Sequence, residues 1–121
     1  MINEEELNQN EILKPKPKYD LEERTFQFAK RVRLFVKKLT KTIANLEDGK
    51  QVVRASASIG ANYIEANESF SKKDFLFRIK ISRKEAKESA FFLRLIYETN
   101  GVEIEKEAIE LHDEAVQLKK I

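Results

Sequence analysis

The sequence predicts an all-α chain, folded as an up-down-up-down antiparallel four-helix bundle. Three observations carry that expectation. Apolar residues recur at helical spacing through most of the chain. Cap and stop residues cut this pattern into four segments. The composition, three Gly and two Pro among many Lys, Glu, Leu and Ala, leaves little for strands or long loops. At 121 residues the expectation is a single domain with a core of useful size.

Residues 1–18 read as an acidic N-terminal arm, with the bundle domain following over 19–121. Lys14-Pro15-Lys16-Pro17-Lys18 cannot sit inside a helix, because each proline lacks an amide hydrogen and restricts the residue before it. Two readings of the arm stay open: no fixed structure, or weak docking on the bundle through Ile2, Leu7, Ile12 and Leu13. Asp20, with Glu23 three residues on, forms a capping box and opens a helix of about 21–46. Its core stripe is Leu21, Phe28, Val32, Phe35, Val36, Leu39, Ile43 and Leu46, with Lys30, Arg33, Lys37 and Lys41 on the solvated side. Asp48-Gly49 reads as a turn, and Asp48 with Gln51 as a second capping box, opening a helix of about 49–69.

That second helix is rich in small residues and carries no charge between Ala55 and Ile64, in a chain that is 36% charged. Val52, Ser56, Ile59, Tyr63, Ala66 and Phe70 form one face. Ala55, Ala57, Ser58, Gly60 and Ala61 let neighbouring backbones come close. It is expected to be the central helix, buried on most sides. Ser71 through Asp74 resembles a third cap, opening a helix of about 72–99, and Asn100-Gly101 is a stop that tolerates the left-handed conformation. The last helix, about 103–119, places Ile104, Ala108, Leu111, Ala115 and Leu118 together.

The third helix carries more than one face. Phe75, Ile79, Ser82, Ala86, Ala90, Leu93 and Tyr97 turn toward the central helix. A second apolar series, Phe77, Ile81, Phe92 and Leu95 with Phe91 beside it, exceeds what a monomeric bundle needs. It is either a self-association surface or a stripe covered by a terminal segment. Lys73, Lys80, Lys87 and Arg94 recur every seventh residue between the two, roughly 10.5 Å apart, with Lys72, Arg83 and Lys84 close by.

Charge is unevenly spread. Residues 24–94 hold 17 basic against 7 acidic residues, net +10, while 1–23 and 95–121 each hold 3 against 7, net −4. A basic middle suits a polyanion-binding surface, but it equally suits a body onto which acidic ends fold back.

Catalytic chemistry is poorly represented. The one histidine, His112, has Ile109 rather than Glu three residues before it and no second histidine beside it, so no di-iron pair can be assembled, and no Ser-His-Asp arrangement stands out beyond chance. There is no phosphate-binding Gly-rich loop and no zinc motif. Glu65 reads as a partner for Arg54 or another base, and Asn62 as an interhelical hydrogen-bonding residue. No catalytic residue, cofactor or metal is expected. The chain has no cysteine, no apolar leader and no run long enough to span a bilayer, which points to the cytoplasm.

Arg54-Ala55, Ser58-Ile59, Asn62, Glu65-Ala66 and Ser71-Lys72-Lys73-Asp74-Phe75 resemble the signature of the four-helix bundle family. Its members are also called 23S rRNA-intervening-sequence or S23 proteins. Lys84-Glu85-Ala86-Lys87-Glu88-Ser89 and Leu93-Arg94-Leu95-Ile96 resemble a branch of it, and the likeness spans about residues 20–118. Two departures are Ile64-Glu65-Ala66 for the family's Ala-Glu-Gly, and Phe91-Phe92 where related members carry Tyr-Trp. The resemblance implies a ring-like homo-oligomer, commonly a pentamer. Some members are encoded inside intervening sequences of bacterial 23S rRNA genes. A related accessory protein of diversity-generating retroelements binds nucleic acid and a reverse transcriptase.

Residues and resemblance together lead to one expectation, a non-enzymatic homo-oligomer that binds structured RNA or DNA mainly through phosphates. Arg54, Lys72, Lys73, Lys80, Arg83, Lys84, Lys87 and Arg94 are the contact residues, and Phe77, Ile81, Phe91, Phe92 and Leu95 the oligomer interface. The alternative is a protein-interaction or scaffolding bundle with no direct nucleic-acid role.

Overall fold

The computed structural model describes residues 17–121, with side chains from Leu21 onward; the N-terminal arm at 1–16 lies outside the described residues. Four helices, and no strand among the described residues, make up the fold: α1 (Pro17–Val36), α2 (Ile43–Asn67), α3 (Lys72–Thr99) and α4 (Val102–Lys119). Helix α2 packs against α1 and α3, α4 packs against α3, and a lighter contact joins α4 to α1. None of the four is long and apolar enough to cross a membrane.

Partners run in opposite order along neighbouring helices. Arg54, Ile59 and Asn62 of α2 meet Glu85, Ser82 and Arg78 of α3. Arg24 of α1 and Lys38 of the turn that follows it meet Glu114 and Glu107 of α4. The interior is filled from every helix: Phe28, Val32 and Phe35 from α1, Val52 and Ile59 from α2, Leu93 and Ile96 from α3, and Leu111 and Leu118 from α4, with Leu39 from the α1–α2 turn. Polar groups inside find local partners. Ser56 and Ser89 donate to the carbonyls of Val53 and Glu85, and Ser82 donates across to the Ile59 carbonyl at 3.0 Å. Among the described residues no buried side-chain polar atom is left unpaired.

Boundaries differ from the sequence reading where a local signal competes with packing. Helix α1 begins at Pro17, whose fixed φ and missing N–H suit a first helical position. Asp20 therefore lies inside the helix rather than capping it. At its other end α1 stops at Val36, ten residues short of the expected end, and the chain turns through residues 37–42. Thr42 makes the next start: its side chain accepts from the Asn45 amide at 3.1 Å. Consequently Ile43 and Leu46, expected in the core, are exposed at 85% and 55%.

Asp48-Gly49 is not a turn but part of α2, and Gly49 is buried there for a packing reason. A Cβ at position 49 would lie 2.9 Å from Val36 Cγ1, and one at Gly60 would lie 2.8 Å from Thr25 Oγ1 and 3.2 Å from Thr25 Cβ. The two glycines let α1 approach α2 at two levels. Asp48, placed in a helix, has its carboxyl held above the usual range by burial and by neighbouring Glu47.

The Ser71 cap is formed as expected, accepting from the Asp74 amide at 3.1 Å. Asn100-Gly101 stops α3 without any left-handed residue: both are extended, and no described residue has positive φ. The stop comes from side-chain amides instead. Asn100 Nδ2 donates to the Ile96 carbonyl at 2.8 Å and to Asn45 Oδ1 at 3.0 Å, while Asn45 Nδ2 donates to Asn100 Oδ1 and to the Thr40 carbonyl. This reciprocal pair ties the α1–α2 turn to the end of α3. The opposite end is tied differently, by Asn67 Nδ2 donating to the Glu22 carboxylate of α1 at 2.7 Å, and Phe70, Phe75 and Leu76 there are exposed rather than buried.

Gly60→Ala tests the close approach. The added methyl gains roughly 1 kcal/mol of helix propensity but overpacks against Thr25 at a cost of about 1–3 kcal/mol. The expected outcome is a lower denaturation midpoint in urea. A higher midpoint would show that α1 moves aside freely.

Candidate nucleic-acid interface

At about 100° per residue the buried positions of α3 (Ser82, Glu85, Ala86, Ser89, Leu93, Ile96) occupy one side, and the outward side divides into two flanks. Toward α4 lies a basic flank of Lys73, Lys80 and Lys87, all exposed. Toward α2 lies an apolar flank on which Phe77 and Leu95 are exposed while Ile81 and Phe92 are half-buried. Phe92 packs on the core, and its ring meets Phe91 edge-on at 5.3 Å. The flank centres are about a quarter-turn apart, with exposed Phe91 and Lys84 on the seam between them.

The eight basic residues expected to meet phosphate are not equivalent. Arg54 is committed to α3: its guanidinium donates to Glu85 at 3.1 Å and to Glu88 at 2.9 Å. Glu85 is buried, so this is a structural clamp between helices, and Glu65 is not its partner. Arg83 donates to the Ile121 carbonyl at 2.9 Å, fastening the end of the chain, and Arg94 pairs with Glu98 at 2.7 Å. Lys72, Lys73, Lys80, Lys84 and Lys87 are exposed and make no ion pair among the described residues. No acidic side chain stands on the basic flank between Lys73 and Phe91.

Other cations of the basic middle segment are neutralised by the acidic last helix. Arg24 makes a two-pronged contact with Glu114 at 2.7 and 2.8 Å, Lys38 meets Glu107 at 2.7 Å, and Arg31 lies 3.7 Å from Glu110. The acidic C-terminal segment thus folds back onto α1, leaving the α3 lysines open. Asn62 makes the expected interhelical bond, accepting from Arg78 at 3.2 Å, and Arg78 also lies 5.9 Å from the Phe77 ring. His112 is half-buried against Tyr97, with ring centroids 5.7 Å apart. Among the described residues no acidic or histidine cluster could hold a metal ion.

The sequence reading did not see a second concave surface. Between α1 and α2 runs a groove of about 550 Å³, floored by Ala57, Gly60 and Ala61, flanked by Phe26, Leu34 and Ile64, and edged by Lys30, Arg33 and Lys37. One side of α2 is therefore open rather than buried. Ala57, Ala61 and Ile64 at i, i+4 and i+7 were the available signal, an apolar row beyond the one that fills the core.

The fold and this surface define an all-α bundle with a lysine-bearing outer helix. The chain belongs to the 23S rRNA-intervening sequence protein family, whose model matches residues 18–121. It is similar to a crystal structure from Bacteroides thetaiotaomicron VPI-5482, a protein with unknown function from the S23 ribosomal protein family. The two are 27% identical, with a TM-score of 0.67 over 82% of this chain and 91% of that one. No curated protein sequence matches the chain.

Arg54→Met should lower stability by about 1–3 kcal/mol, because it strands the Glu85 carboxylate in a mostly buried site. Adding Glu85→Gln should recover part of that loss in a urea titration. If Arg54→Met leaves the midpoint unchanged, the clamp is not structural.

Proposed function

We propose that the chain is a non-enzymatic, homo-oligomeric bundle of up-down-up-down topology that binds structured RNA or DNA through phosphates. The observation that carries this reading is the basic flank of α3. Lys73, Lys80 and Lys87 recur at intervals of roughly 10.5 Å, unpaired among the described residues, while the cations of α1 and its following turn that face α4 are paired. Lysines of this kind neutralise phosphates and release counterions; they position a polyanion without reading its bases. Family membership supports the reading by association only.

The adjacent apolar flank of Phe77, Ile81, Phe92 and Leu95, with Phe91 at its edge, is the proposed contact between copies. Because it is turned toward α2 and the lysines toward α4, one copy can pack on the first while the second stays open. Each added copy would then multiply the number of lysines that one polymer meets. The exposed Phe77 and Leu95 also favour a second reading, in which that flank holds a different protein and the lysines are merely solvated.

Titration of nuclease-treated protein into structured RNA and duplex DNA at several salt concentrations separates the two. Affinity should fall steeply with salt. Lys80→Glu combined with Lys87→Glu should weaken binding at least tenfold and reduce the salt slope by about 2. Salt-independent binding, or none, would remove the phosphate mechanism and favour the scaffold. Separately, Phe77→Glu with Leu95→Glu should reduce the particle size in light scattering to that of one chain. An unchanged size with intact helicity would place self-association elsewhere.

A further inference from the structure

The α1–α2 groove lies on another side of the molecule from the α3 surface, since α1 and α3 make no contact among the described residues. Its walls are apolar side chains left in solvent: Phe26, Leu34 and Ile64 are 60%, 49% and 47% exposed. Such a patch marks an unmet contact. Along one rim stand Lys30, Arg33 and Lys37, none of them ion-paired among the described residues. A fitting occupant combines apolar side chains for the floor with carboxylates for that rim.

We propose that this groove receives the chain's own N-terminal segment, residues 1–13. The segment, MINEEELNQNEIL, has five apolar residues and four glutamates and no basic residue. It is joined to α1 at Pro17, beside the end of the groove lined by Glu22 and Phe26. That end is not itself a rival site for the rim cations, because the Glu22 carboxylate accepts from Asn67 Nδ2 at 2.7 Å. An extended segment reaches the far end of the groove, and a helical one most of the way. The groove follows α1 from position 22 to 37, roughly 22 Å, and thirteen residues span about 20 Å as a helix and over 40 Å extended. Prolines 15 and 17 interrupt any continuous helix with α1, so the chain is free to reverse direction there. The charge contrast is strongest at low salt and is screened over about 10 Å at 0.1 M.

The protein contains no tryptophan, so Leu7→Trp in the full-length chain is a single reporter. Its emission should be blue-shifted, and its quenching by acrylamide should be severalfold weaker than that of a free indole. Ala61→Glu, at an exposed position in the groove floor, should abolish both effects while the circular dichroism stays helical. Arg33→Glu with Lys37→Glu should do the same from the rim, so the outcome does not rest on one variant folding. Lys106→Glu, at an exposed position of α4, should change nothing. Emission like that of free indole would overturn the proposal. So would protection that survives both groove variants, or protection that the α4 variant removes equally well.

Discussion

Everything in this bundle depends on how closely α2 can lie against two neighbours at once. On the α1 side the space is set by Gly49 under Val36 and Gly60 under Thr25, where a single methyl would collide. On the α3 side it is set by buried Ala55 and Ala86, and it is close enough for the Ser82 hydroxyl to reach the Ile59 backbone carbonyl. Large side chains are then needed only along the central axis, where Phe28, Phe35, Ile59, Leu93 and Leu111 meet. Small residues outside and large ones inside fix the spacing of the helices, in the manner of ridges seated in grooves.

The charges obey a different rule. Exposed ion pairs contribute little stability, on the order of 0–1 kcal/mol each, so the Arg24, Arg31 and Lys38 contacts do not hold α4 in place by themselves. Their effect is to cancel charge. The acidic last helix faces α1 and spends its carboxylates there, which leaves the positive potential of the molecule concentrated on α3 and on the free edge of α1. A formal charge of only +2 therefore conceals two basic surfaces.

Much of the fold could be read from the chain because the core stripes are long and regular. Phe28, Val32, Phe35, Val52, Ile59, Leu93 and Leu111 fell where periodicity put them, and the Ser71 cap formed as its spacing implied. Errors arose where a local signal and a tertiary demand coincide in one residue type. Glycine serves both turns and close helix contacts, and nothing local tells that Gly49 is the latter. Asn-Gly serves left-handed caps, but Asn100 stops α3 by a long-range bond to Asn45 that no local pattern encodes. The surface was harder to read than the core. Sequence shows Arg54 as one more cation, and only the position of Glu85 and Glu88 one helix away shows that it is already engaged. The recognisable signature turns out to be largely architectural: Arg54, Asn62 and Ser71 tie or cap helices, and the open lysines lie among and after them.

The amide pair between Asn45 and Asn100 has a consequence for how the molecule responds to its surroundings. Both groups are neutral at every physiological pH, and their bonds are short and partly buried. Salt therefore weakens the α1–α4 ion pairs and leaves this junction untouched. The bundle is in effect clasped at one end by a fastening indifferent to ionic conditions. At the other end the tie from Asn67 goes to a carboxylate, that of Glu22, and Phe70, Phe75 and Leu76 stand in solvent, so fraying is cheapest there. Thermal opening should thus travel from the α2–α3 turn toward the asparagines, as a zip runs toward its stop.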